Sequence, residues 1–419
     1  YRLSKTTSSN GHSSPRDVIF VFESGAKTET AVPFGARTVN VPVTATASSV
    51  WIFGENLTFN QDVFVADDIT LSLYRHYAQY AAQARTLTFN GRVYGPSATV
   101  CNRTVDTNAI YFKRTVTLKK WTEASGTALV HFGAADNILG SFYCRSQRSY
   151  WDVAGALPTD LIITNEVSDA AYRGIHYFTG NQTCDRLSAQ AEPSNKGWVG
   201  FTIASTDSSV PTLTLRPTAD AEAFCTLGDS VANGSFALTV DSEEGHSQTF
   251  KGRKHNLVGP ITVKKGAFRT ELKAEFPKLE QIRIEDGVFE TAATNGTVQF
   301  ASLLRLDIGA AGTFKVTKVD DYSPNVFATD KALVVDIVEG GKIEVPEGVI
   351  DVKPDYTSRY LMAWNGEYFE PDPDDAKKTL NYIRLRFETE TVPCCHGSNQ
   401  FGYLKRFAKT HPEYFCQKK

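Results

Sequence analysis

Residues equipped for chemistry are few in this chain, and they are scattered. Arg253, Lys254 and His255 form a basic knot just ahead of an alternating apolar run. A base set beside cations that neutralise a sugar carboxylate is what polysaccharide lyase chemistry requires. His396 stands in the phrase Val392-Pro-Cys-Cys-His396-Gly397, the second candidate for acid–base work. Glycosidic hydrolysis instead needs two carboxylates about 5–10 Å apart. Glu285, Asp286, Asp307 and Asp336 recur at a spacing that would stack them on successive coils of a repeat. Each lies close to a turn glycine, however, where acidic residues are ordinary solvated turn formers. Asp67-Asp68 offers the oxygen ligands that Ca²⁺ takes, against the plainer reading of a turn. No other cofactor and no transition-metal site is expected, since phosphate loops, nucleophile elbows and metal-spaced His pairs are missing from the sequence. Aromatic residues are the better lead. Trp51, Trp121, Trp151, Trp198, Tyr172 and Tyr177 are expected to line a shallow groove for sugar rings, with core filling as the alternative.

These side chains must be carried on strands. Before residue 370 the recurring pattern is a short run of alternating β-branched and aromatic residues, closed by Gly, Asn, Asp or Pro. Val39–Val43, Val63–Leu73, Leu87–Phe89, Tyr111–Leu118 and Thr212–Leu215 are examples. Tyr74–Ala84 is the one stretch with helical character, unless it is a long excursion between strands.

Four copies of one phrase follow. Ile261–Arg269 aligns with Ile282–Glu290, Leu306–Lys315 and Val335–Glu344, each reading strand, glycine turn, strand. The turn glycines Gly266, Gly287, Gly312 and Gly341 step by 21, 25 and 29 residues. Periods of this size signal a solenoid, because one such coil cannot bury its apolar face alone. Val263, Ile284, Ile308 and Ile337 are expected to form one inward ladder, and Phe268, Phe289, Phe314 and Ile343 another. An antiparallel sandwich is the competing architecture.

The phrase from Thr249-Phe-Lys-Gly252 through Arg269 resembles the autotransporter-associated β-strand repeat of bacterial surface proteins. That resemblance implies a right-handed parallel β-helix on a secreted or surface-exposed protein. It says little about activity. Leu57-Thr-Phe59-Asn60 and Leu87-Thr-Phe89-Asn90 echo the phrase, so the solenoid is expected to begin near residue 15.

The expected organisation is an N-terminal extension over 1–14, a parallel β-helix over 15–370, and an acidic Pro linker over 371–376. A short α/β tail, or the start of a truncated barrel, occupies 377–419. The tail carries nine Lys/Arg against three Glu, a sharp compositional change. Its run from Leu385 to Phe415 resembles the opening of a catalytic barrel in glycoside-hydrolase-like bacterial proteins, which would put His396 at a strand end where barrel chemistry sits.

Composition narrows the partners. A net charge of −3 gives no basic field for nucleic acid. No apolar run approaches the ~20 residues of a membrane span. Cys101–Cys144 and Cys184–Cys225 are candidate disulfides in an oxidising compartment, with buried thiols as the alternative. The chain starts at Tyr1 and its one methionine is Met362, so a processed or partial chain is expected, with a further domain beyond Lys419. Together these features point to an all-β, right-handed parallel β-helix with a short α/β C-terminal tail. Its expected role is a non-catalytic scaffold or carbohydrate-contacting region of a larger extracellular or cell-surface glycan-acting protein. A self-sufficient β-helical lyase or glycoside hydrolase is the alternative, and an autotransporter-like adhesin passenger the third.

Overall fold

The computed structural model describes residues 18–22, 37–53, 56–75, 86–102, 109–123, 129–143, 148–163, 174–189, 201–229, 235–252, 254–270, 274–293, 299–318, 333–338, 341–344, 360–364, 367–371 and 382–385. Among these residues every regular element is a strand, and no helix occurs. The strands stack in parallel as a β-solenoid, which sets aside the antiparallel sandwich. Two units are distinguished, Tyr1–Pro211 and Thr212–Lys419.

In the first unit one sheet stacks Arg37–Val39, Leu57–Phe59, Thr86–Phe89, Ala109–Phe112, Leu129–Phe132, Arg148–Trp151, Ile175–Phe178 and Phe201–Ser205. A second sheet includes Val63–Val65, Val93–Asn102, Val116–Glu123 and Ile138–Tyr143. The runs Val63–Leu73 and Tyr111–Leu118 are therefore not single strands. Each turns a corner and supplies two. Tyr74 and Arg75 complete the strand Thr70–Arg75, and the rest of the helical candidate lies outside the described residues.

Strand alternation decides what the core contains. Phe59, Phe89, Phe112, Phe132 and Trp151 share one inward register position, with successive ring centroids 5.2, 5.1, 5.3 and 4.3 Å apart. Stacked pairs of this kind add roughly 0.5–1.5 kcal/mol beyond burial itself. Where each of these strands ends, the next residue bonds back to the preceding coil: Asn60 N–H donates to Val39 O, and Asn90 N–H to Phe59 O. The side chains repeat this, with Asn60 Nδ2 donating to Asn40 Oδ1 at 2.7 Å and Asn90 Nδ2 to Asn60 Oδ1 at 2.8 Å.

The second unit contains the four-copy phrase, and its register follows the expected ladders position for position. Val263 pairs with Ile284, Ile284 with Ile308, and Ile308 with Ile337. Phe268 pairs with Phe289, Phe289 with Phe314, and Phe314 with Ile343. The turn glycines Gly266, Gly287 and Gly312 all answer to close approach of the coil below, at Gly266 by the His246 carbonyl, and Gly266 answers to backbone conformation as well. Gly266 sits at φ +79°, in the left-handed region open to glycine. Gly287 and Gly312 are demanded by close approach of the coil below: a Cβ would stand 2.5 Å from Gly266 O in one case and 2.6 Å from Ile284 O in the other.

Parallel stacking stops at Tyr360–Trp364, which pairs in parallel with Leu333–Ile337 and antiparallel with Glu367–Pro371. Tyr382–Leu385 adds a further antiparallel strand. Residues 386–419 lie outside the described set, and with them the expected helix of the tail and His396.

Candidate functional site

The basic knot is divided between two faces of its strand. Lys254 is exposed, whereas His255 is wholly buried, because neighbouring residues at a bridge position point to opposite faces. His255 Nδ1 accepts from the Leu227 backbone N–H at 3.1 Å, and Nε2–H donates to Gly252 O at 3.1 Å. Its ring lies on Phe276, centroids 4.4 Å apart. Burial pulls its pKa down to about 4, so it is a neutral core residue that holds a turn. Arg253 lies outside the described residues.

Most of the acidic candidates lie in exposed turns, and Asp307 lies in a network of its own strand and its neighbour. Glu285 and Asp286 are exposed in a turn. Asp307 accepts from Arg305 Nε at 2.6 Å and from Gln281 Nε2 at 2.8 Å. Asp307 and Asp336 are register partners, as the repeat spacing implied. Asp67 and Asp68 are exposed turn residues, Asp68 at φ +57°. Among the described residues no three His, Cys, Asp or Glu side chains converge in a way that could hold a metal. Cys101 and Cys184 are buried free thiols, so neither expected disulfide is present. Cys184 Sγ–H donates to Pro158 O, and burial pushes its pKa far up.

The tryptophans expected to meet sugar are inside. Trp51 is 3% exposed and Trp121 and Trp151 are 0%. Trp51 stacks on Phe59, Trp121 meets Phe112 edge-on, and Trp151 stacks on Phe132. Such rings have no face left for a ligand. Trp198 and Tyr172 lie outside the described residues. Tyr177 is 8% exposed and belongs to an outward ladder, Tyr111–His131–Tyr150–Tyr177, with centroid spacings of 4.6, 4.5 and 5.2 Å. Lys113 Nζ sits 4.9 Å over Tyr111, and His131 Nδ1 lies 3.1 Å from Asp152 Oδ2. The rings cover one another's faces, so this ladder stiffens the sheet and presents only edges.

A different strip of the first unit does present aromatic faces. Phe64 and Tyr94 are register partners on adjacent coils, 37% and 46% exposed. Thr44 precedes them in the column, and Thr117 and Ile138 continue it. Alternation puts them there: Val63, Val65 and Val93 point inward at 4% exposure or less, so the aromatic between them must point out. Among the described residues no ring stacks on Phe64 or Tyr94.

Two residues earlier on the same strands' outward face stand Asp62 and Arg92. Arg92 Nε and Nη2 donate to Asp62 Oδ2 at 3.0 and 2.7 Å, while the Arg92 backbone N–H donates to Oδ1 at 2.8 Å. These bonds hold the Asp62 carboxyl below the usual carboxylate range, and Asp62 in turn raises Arg92. A second cross-coil pair, Lys119 with Asp68 at 3.8 Å, carries on the polar rim. The strip therefore combines two open aromatic rings with polar groups already fixed in place.

The sequence contains the signal for this strip, in Val63-Phe64-Val65 and Val93-Tyr94-Gly95, where an aromatic falls out of phase with the inward valines. No protein family, curated protein or solved structure matches the chain. The strip is an exposed aromatic pair bordered by fixed polar groups. An exposed apolar strip rimmed by polar residues is the usual mark of a contact surface, and Tyr adds a hydroxyl to its ring.

Proposed function

We propose that this chain is a non-catalytic β-solenoid module of a larger secreted or cell-surface glycan-acting protein, and that it contacts polysaccharide through the Phe64–Tyr94 strip. The supporting observation is the pair of exposed, unstacked rings held in register beside the Asp62–Arg92 pair. A pyranose has an apolar CH face and a hydroxyl edge, and this strip offers a partner for each. The sequence likeness to the autotransporter-associated repeat supports the surface placement, and the resemblance of the Leu385–Phe415 sequence to the opening of a catalytic barrel supports the larger protein. The burial of His255 away from Lys254 speaks against the lyase alternative.

The test is electrophoresis of the whole chain through gels containing soluble polysaccharide. Retardation is expected for the native chain, and Phe64→Ala or Tyr94→Ala should weaken it several-fold, as loss of about 1 kcal/mol of ring contact implies. Thermal unfolding of both variants should match the native chain. Release of reducing ends or unsaturated products from the polysaccharide would refute the non-catalytic reading.

A further inference from the structure

The charge arrangement around the two rings says which polysaccharides they accept. Arginine is the usual recogniser of a carboxylate, through two parallel N–H bonds. On this strip the Arg92 guanidinium already has a carboxylate partner in Asp62 of the preceding coil. That partner is not a loose one, since Asp62 Oδ1 also accepts the Arg92 backbone N–H. A uronate would have to displace a carboxylate fixed to the same sheet at both of its oxygens. The turn following Val63–Val65 adds exposed Asp67 and Asp68, and Lys119 is within 4 Å of Asp68. Thr44, Thr117 and Ile138, which share the column with the rings, carry no charge.

We infer that this strip selects uncharged polysaccharides over acidic ones, and that Asp62 enforces the selection by occupying Arg92. The inference rests on the polysaccharide reading and specifies it. A neutral glycan loses nothing at the ion pair: its hydroxyls bond to the outer edges of Asp62 and Arg92 while its CH faces lie on Phe64 and Tyr94. A polyanion meets an occupied guanidinium, the exposed Asp67, and an Asp68 that already has Lys119 beside it. Asp62→Asn removes the charge while keeping an oxygen that can accept the Arg92 backbone N–H, so it leaves Arg92 an uncompensated cation.

The experiment compares retardation of the whole chain by hydroxyethyl cellulose, which is neutral, and by polygalacturonate, which is acidic. The native chain is expected to be held by the first and to pass the second. Raising salt from about 0.15 to 1 M shortens the screening length from about 8 to 3 Å and should leave the neutral interaction unchanged. Asp62→Asn is expected to gain polygalacturonate retardation at least several-fold, and the gain should vanish at high salt. Equal retardation of the native chain by both polymers overturns the selectivity while leaving the polysaccharide reading intact. So does a folded Asp62→Asn chain that still ignores polygalacturonate. Retardation by neither polymer overturns both. If sedimentation shows the native chain self-associated and Tyr94→Ala monomeric, the strip is a protein interface and the inference fails.

Discussion

His255 and Leu227 are joined by a hydrogen bond that requires a neutral imidazole: the Leu227 backbone N–H donates to Nδ1 at 3.1 Å. Burial has lowered the folded-state pKa to about 4, against about 6.5 for a free histidine. The stability tied to this difference is fully present above about pH 6.5 and is lost as pH falls through 4. His176, wholly buried in the first unit, is lowered by burial to about 3 and acts in the same direction over a wider window. Each unit of pKa is worth about 1.4 kcal/mol, so acid should cost the fold several kcal/mol. Urea unfolding at pH 7.5, 5.5 and 4.5 checks this. His255→Gln, which keeps polar atoms without titrating, should flatten part of the slope, and an unchanged slope would count against the role given to His255.

Inside and outside aromatics should separate cleanly in stability. Trp151→Ala removes the ring that stacks on Phe132 at 4.3 Å and leaves a cavity, a loss of about 3–5 kcal/mol. Tyr94→Ala removes the ring of a residue that is 46% exposed and should stay within about ±0.5 kcal/mol. Equilibrium denaturation of both variants measures the contrast.

Two glycines at the same φ of +79° should respond differently to alanine. At Gly245 nothing lies within 4 Å of an added Cβ, so backbone strain alone acts, at about 1 kcal/mol. At Gly266 the Cβ would also meet Ser242 Cβ at 2.7 Å. Gly266→Ala should therefore be the more destabilising, by at least about 1 kcal/mol, a difference that thermal denaturation resolves.

On the second unit's outer surface, Glu290 sits in register between Arg269 and Lys315 and pairs with both, at 3.1 and 3.3 Å. Glu290→Lys would line up three cations on adjacent strands. Each exposed pair is worth less than about 1 kcal/mol, so the variant should lose on the order of 1–2 kcal/mol through lost pairs and new repulsion. The loss should shrink as salt rises, and a salt-independent loss would point to packing instead.

How much of this was readable from the residues depended on whether inward positions were apolar. In Ile261–Lys265, Gln281–Ile284 and Arg305–Ile308 the inward residues are Ile, Leu or Val and the outward ones polar or charged, and Phe268, Phe289 and Phe314 recur at one register position, so both ladders follow from the pattern. In Arg148–Trp151 and Ile175–Phe178 the pattern is inverted in part. Ser149 and His176 point in at 0% exposure, while Tyr150 and Tyr177 point out. Polarity there gives no phase, and Trp151 could not be told from a surface aromatic. The separation of Lys254 from His255 has a related reason, since adjacency at a bridge position means opposite faces. Phe64 and Tyr94 were legible in principle, each set against inward valine, but only once the valines' direction was known. The rest of the candidate site had no sequence signature, because Asp62 and Arg92 meet across 30 residues of chain.

The equivalence of successive coils bears on how such a chain changes length. Between Gly266 and Gly341 the coil-to-coil step varies from 21 to 29 residues, yet the inward columns of the four-copy phrase keep their register. Extra residues are absorbed between strands, and each coil offers the next one the same edge that it received. Duplicating or deleting one whole coil therefore creates no new kind of surface, only a longer or shorter run of an existing one. A protein built this way can alter its reach by copying a segment of gene, with its fold unchanged at every step.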